Sequence, residues 1–221
     1  MSTLTLVIGN KNYSSWSLRP WFALKRAGIP FAEVRIPLSM PLTRERILEY
    51  SPSAKVPLLV DGAIKVWESL AILEYLAERF PRECSWPSDP AARAFARSAA
   101  TEMHAGFTAL RSELPMNCRV RRTGVVPSAA AREDIDRVLS LWRTGRESFG
   151  CTGPWLCGAF SPVDAMFAPV ALRFLTYGVA APGAAGDFVA AVRDAPAIRE
   201  WVEAAAKEPE VIEEVERITP A

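Results

Sequence analysis

Strand-like alternation ends within the first third of this chain, and that limits the folds open to it. Thr3 to Gly9 is rich in Leu, Val and Ile and reads as a central strand. Ala32, Val34 and Ile36 alternate with Glu33 and Arg35 as a second. Leu58 to Val60 and Ala63 to Val66 flank Asp61 and Gly62, a pair suited to a tight hairpin turn. No convincing strand follows Val66.

Helical patterns fill the gaps. The polar stretch from Asn10 leads into a helix that reaches about Ala27 and stops at Gly28, with Ser14 and Ser15 as candidate N-caps and Pro20 tolerated in its first turn. A short charged helix lies around Arg44 to Tyr50. Leu70, Leu73, Leu76, Ala77 and Phe80 then share one helical face until Pro81 ends it. The expected order over residues 1–80 is therefore βαβαββα, an α/β domain with a parallel half and an antiparallel hairpin half.

Residues 81–90, with prolines and serines in place of periodicity, read as a linker. Residues 91–221 read as all-α. One long helix runs from Ala91 to about Leu114, and a second runs from a Ser128 cap to about Phe149. A Gly/Pro loop over 150–158 precedes Ser161, Pro162 and Asp164, the signature of a capping box. The helix that this box opens carries Phe167, Val170, Ala171 and Phe174 and reads as buried. Further helices are expected near Ala185 to Arg193 and Ile198 to Lys207.

Composition narrows the function. Of 221 residues half are hydrophobic and 23% charged, with a formal net charge of +1, which suits a globular protein with a sizeable core. Near-neutrality supplies no electrostatic reason for nucleic acid or an anionic membrane as partner. No apolar run approaches the roughly 18 residues that span a bilayer. The opening residues lack the basic start and long apolar core of a signal peptide. Cys84, Cys118, Cys151 and Cys157 show neither CxxC nor zinc spacing, so free thiols in a reducing cytoplasm and no bound metal are expected. His104 is the sole histidine, and no nucleophile elbow accompanies it.

Chemistry concentrates at Glu68 and Ser69, at the mouth of the third helix. Ser69 lies where an N-cap belongs, so backbone N–H groups there can hold a carboxylate, and Glu68 can accept from an ammonium. Together they suit the charged end of an α-amino acid.

In company these features resemble the cytosolic glutathione transferase family over the whole chain. A hydroxyl cluster precedes the first helix, Val56 and Pro57 precede the third strand, Glu68 and Ser69 open the third helix, and Ser161 with Asp164 opens the buried one. The resemblance implies a thioredoxin-like domain, a helical domain and glutathione as co-substrate. It implies a cis Pro57, with the Val56 backbone facing the cysteinyl part of glutathione. Glu68 and Ser69 match the residues that hold the γ-glutamyl end, and Lys55 a position that reaches the glycyl carboxylate. Ser14 to Arg19 is similar to the zeta-class and tau-class motifs, whose serine stands five residues before the arginine. That offset lands on Ser14, our first choice of thiol donor; the four-residue offset of other classes lands on Ser15, and Tyr13 is a third candidate.

Departures are visible. Trp16 replaces the zeta-class cysteine, and Thr176 stands at the offset of the arginine that binds a dicarboxylate there, with Arg173 one turn earlier. Tyr13, Trp16, Met103, Phe107 and Arg111 are candidates for an acceptor pocket, while Arg119, Arg121 and Arg122 read as a solvated loop. The expected activity is transfer of glutathione to a small, apolar electrophile by a cytoplasmic homodimer. Maleyl-type cis-trans isomerisation and a binding module without turnover are the alternatives.

Overall fold

The structure, a computed structural model, describes residues 4–150 and 153–218. Thr3 and Cys151, named above, lie outside them. The first part contains β1 (Leu4–Ile8), α1 (Ser15–Arg26), β2 (Phe31–Arg35), α2 (Thr43–Leu48), β3 (Leu58–Asp61), β4 (Ile64–Trp67) and α3 (Ser69–Arg79). Its sheet has the order β2-β1-β3-β4, with β1 parallel to β2 and the other pairs antiparallel. The expected βαβαββα order is present. The hairpin closes one residue later than the Asp61-Gly62 reading: Asp61 pairs with Ile64, and Gly62, at φ 59°, takes the first loop position.

Pro20 is not in the first turn of α1. The helix starts at Ser15, so the proline sits inside it, where it offers no N–H to the Trp16 carbonyl.

The second part contains α4 (Pro90–Ala105), α5 (Thr108–Glu113), α6 (Ala129–Phe149), α7 (Pro162–Tyr177), α8 (Ala184–Asp194), α9 (Pro196–Ala206) and the short α10 (Glu213–Glu216). The single long helix expected from Ala91 to Leu114 is two. Gly106 is extended and Phe107 is left-handed at φ 57°, ψ 41°, and this break turns the Phe107 ring into the core. Asp134 on α6 stabilises the restart by accepting from the Leu110 N–H at 3.0 Å.

Helix α7 is the central post. All but one of its residues are buried, and it packs against α1, α3, α4 and α8. Beside it Trp142 of α6 is fully buried against Phe167, Phe174 and Phe188, at ring separations of 5.9, 5.1 and 4.9 Å. Ser128 caps α6 as expected, accepting from Ala131 N–H at 3.2 Å while its hydroxyl donates to Glu113 at 2.6 Å. Ser128→Ala is expected to lower the unfolding free energy by about 1 kcal/mol. An unchanged urea midpoint would show that the cap contributes nothing.

Candidate active site

The N-termini of α1 and α3 and the turn before β3 converge on one cleft of ≈ 530 Å³. Tyr13, Ser14, Ser15 and Trp16 form one wall, Lys55, Val56, Pro57 and Glu68 another. The Val56–Pro57 peptide is cis. Val56 lies before the β3–β4 ladder, whose first pair is Leu58 with Trp67, so its backbone can meet an extended ligand. Lys55 is exposed beside it.

Ser69 differs from its expected role. Glu68 is the N-cap residue, at φ 66° and ψ 125°, a strained conformation for a residue with a side chain. Ser69 is the first residue of α3, fully buried, and does not line the cleft. Its hydroxyl accepts from Arg19 Nη1 at 3.1 Å and points a weak bond at Met166 Sδ, 3.9 Å away. What the α3 N-terminus can offer a carboxylate is its backbone N–H groups and dipole, with the Arg19 charge behind them.

The two serines are used differently. Ser14 caps α1: its Oγ accepts from Ser17 N–H at 3.4 Å and donates to Ser17 Oγ at 2.8 Å, and Ser17 Oγ also receives Gly9 N–H. Ser15 Oγ accepts from Arg173 Nη2 at 3.1 Å.

Cationic and aromatic groups surround Trp16. The Arg19 guanidinium lies 4.2 Å and that of Arg111 5.2 Å from its ring centroid, and His104 meets it edge-on at 5.3 Å. Burial, with Arg173 and Arg111 nearby, holds Arg19 well below its ordinary pKa. Burial and then the Arg19 charge lower that of His104, whose Nε2 lies 3.7 Å from Glu68 Oε2. Of the expected acceptor wall, Met103 and Phe107 are core residues and Arg111 is only near; none of the three lines the cleft. Leu38, Ser39, Ser53 and Ala54 line it instead, from loops with no motif content, together with Thr43 and Ile47 of α2.

Of the arginine run only Arg121 is exposed as expected. Arg119 donates to the Tyr13 hydroxyl and to the carbonyls of Glu208 and Glu210, and Arg122 to the Val215 carbonyl and the Glu216 carboxylate. Tyr13 donates to Glu216 at 2.8 Å, so its proton is already engaged. The segment after α9 thus straps the cleft's edge, with Glu208 also taking the N–H groups of Lys11 and Asn12. Spacing along the chain carried no sign of this. Thr176 bonds the Asn117 carbonyl, a structural role.

Among the described residues no cluster of His, Cys, Asp and Glu could hold a metal, and no helix is long and apolar enough to cross a membrane. Burial pushes the thiols of Cys84 up to about 11 and of Cys118 and Cys157 up to about 12, far from thiolate at neutral pH.

Residues 13–79 match the family described as glutathione S-transferase, N-terminal domain. A probable maleylacetoacetate isomerase of Caenorhabditis elegans is 36% identical over 99 residues, 44% of this chain and 45% of that protein. A stringent starvation protein A homolog of Haemophilus ducreyi is 29% identical over 147 residues, 66% of this chain and 65% of that one. The chain thus spans about half to two thirds of the length of these curated relatives. A Burkholderia glutathione transferase homolog, crystallised with bound glutathione, superposes with a TM-score of 0.70 at 22% identity, covering 94% of this chain and 100% of the other. At that identity the likeness is one of fold.

Proposed function

We propose that this chain, whose residues 13–79 match the glutathione S-transferase N-terminal domain family, activates glutathione for attack on a small, apolar electrophile. The observation that carries the reading is the convergence of two helix N-termini and the Val56–Pro57 edge on one cleft. In this reading the Val56 backbone pairs with the cysteinyl part of glutathione. The α3 N-terminus holds the γ-glutamyl carboxylate, Glu68 accepts from the ammonium, and Lys55 faces the glycyl carboxylate. A serine hydroxyl at the α1 N-terminus donates to sulfur, and the helix dipole adds to it. The thiol proton leaves to solvent. The sulfur then forms a bond to the electrophilic carbon, and the leaving group departs with its electron pair.

The test is an ultraviolet titration of the thiolate band of glutathione bound to the full chain. A free thiol titrates near 8.5; the bound thiol is expected about 2 pH units lower, worth roughly 2.7 kcal/mol. Glu68→Gln is expected to weaken glutathione binding at least about tenfold, since it removes a charged hydrogen-bond acceptor. Binding with an unmoved thiol would favour a module without turnover instead.

A second reading, glutathione-dependent isomerisation of a maleyl-type diacid, draws support from the C. elegans relative and from the cations around Trp16. Turnover of a maleyl analogue with little activity on halonitroarenes would favour it. We also propose a cytoplasmic homodimer. The exposed Ile64 and Trp67 on the edge strand β4, and Met40, Leu42 and Leu48 around α2, support an apolar interface.

A further inference from the structure

Two adjacent serines face the cleft, and hydrogen-bond accounting separates them. A hydroxyl has one proton to donate and two lone pairs. Ser14 spends its proton on Ser17 Oγ and a lone pair on Ser17 N–H, so it is occupied as the α1 cap. Ser15 uses one lone pair on Arg173, and its proton has no acceptor among the described residues. A ligand atom in the cleft is the partner left for it.

Arg173 is unusual in its own right. It comes from α7, 158 positions along the chain, and its side chain is buried at 4% exposure. Its Nε and Nη1 find no partner, and no carboxylate pairs with it among the described residues. The charged and titratable groups that act on it are Arg111, Tyr177 and Cys118, with Arg19 coupled to it from α1 and Glu68 and His104 beyond Arg19. Burial lowers its pKa to about 10, which leaves it a cation at neutral pH. An unneutralised buried guanidinium is costly to fold around. Here its one hydrogen bond goes to the hydroxyl that has a proton to spare.

Resting on the glutathione reading above, we propose that Ser15 rather than Ser14 donates to the glutathione sulfur, and that Arg173 is the positioning residue that orients Ser15 and favours the sulfur anion. Arg173 is too buried to touch the ligand, so it acts through the Ser15 oxygen. Donation from a guanidinium polarises the hydroxyl and strengthens the bond that it gives. No proton leaves Ser15: the thiol proton goes to solvent, and the hydroxyl holds the resulting anion.

The experiment is the thiolate titration with full-length wild type, Ser14→Ala, Ser15→Ala, Ser15→Thr, Arg173→Met and Arg173→Lys. Ser15→Ala is expected to return the midpoint to near the free value of about 8.5, and Ser15→Thr to keep most of the wild-type effect. Arg173→Met is expected to raise the midpoint by about 1 pH unit, a tenfold loss of thiolate below the midpoint, with Arg173→Lys restoring much of it. Ser14→Ala shows its main effect as a lower melting temperature. Loss of the effect in Ser14→Ala with retention in Ser15→Ala overturns the proposal. An unmoved midpoint in folded Arg173→Met overturns the role of the arginine; if that variant does not fold, the two Ser15 variants still decide the donor. A wild type that binds glutathione without lowering its midpoint overturns the transferase reading itself, a result distinct from either.

Discussion

Asp164→Ala is expected to lower the unfolding free energy by about 3–5 kcal/mol, at the upper end for a point substitution. The carboxylate is fully buried and accepts from Leu156 N–H and Ser161 N–H, each at 2.8 Å, and from Ser161 Oγ at 3.3 Å. Alanine would leave these donors without an acceptor, at about 1–3 kcal/mol for each buried one. A capping residue alone suggests only about 1 kcal/mol. The larger figure comes from Leu156, which ties the loop before α7 to the same side chain. Urea unfolding followed by helix signal measures the effect, and a loss below about 1 kcal/mol would show that the loop is held by other means.

The same group makes stability depend on pH. Burial outweighs the hydrogen bonds and pushes the carboxyl from the usual 3.8 up to about 7. Between those values the native state keeps a proton that the unfolded chain has released. Its contribution is therefore full below about pH 4 and declines as pH rises to about 7. The excess stability of wild type over Asp164→Asn, which cannot titrate, is expected to shrink from pH 5 to pH 8. A constant difference would mean that the carboxyl ionises at an ordinary pH in the folded protein.

Trp201→Ala is the second large expectation, at about 3–5 kcal/mol, the range for deleting a buried aromatic side chain. Trp201 on α9 is fully buried, meets Trp21 of α1 edge-on at 5.0 Å, and donates from Nε1 to the Lys11 carbonyl at 2.8 Å. It joins the helical part to the loop that delivers Ser14 and Ser15. Trp201→Phe keeps most of the volume and loses the hydrogen bond, so about 1–2 kcal/mol is expected from it. Glutathione affinity should fall with stability in Trp201→Ala, because the loop over Lys11 to Ser14 loses its anchor. If affinity held while the urea midpoint dropped, Trp201 would be a core residue without influence on the cleft.

Local features of the chain were legible in the sequence, and long-range ones were not. The strand and helix order of residues 4–79 was legible because period-two runs, Gly62 and Pro81 act within a few residues of themselves. The same holds for the Ser128 cap and the box around Asp164. The candidate ligand residues Lys55, Val56, Pro57 and Glu68 could be read together because they sit within one turn and its neighbouring hairpin. The break at Gly106 and Phe107 was not legible, since the helical pattern runs through it and only burial of the Phe107 ring favours the left-handed turn. Ser69 reads as a cap locally and is recruited inward by Arg19, fifty residues away. Arg119 and Arg122 look like a solvated run until the segment after α9 brings carbonyls and Glu216 to them.

By itself, then, the sequence determined the order of the elements up to α3, the α6 cap and the linear motifs, because caps, turns and periodic faces are local physics. Only the tertiary structure decided which motif residues line the cleft and which hydroxyl has a proton to give. A side chain's hydrogen-bond capacity is small, and it is used up by whichever partners packing brings near. For Ser15 that partner is Arg173 of α7, and nothing in the spacing between them announces the contact.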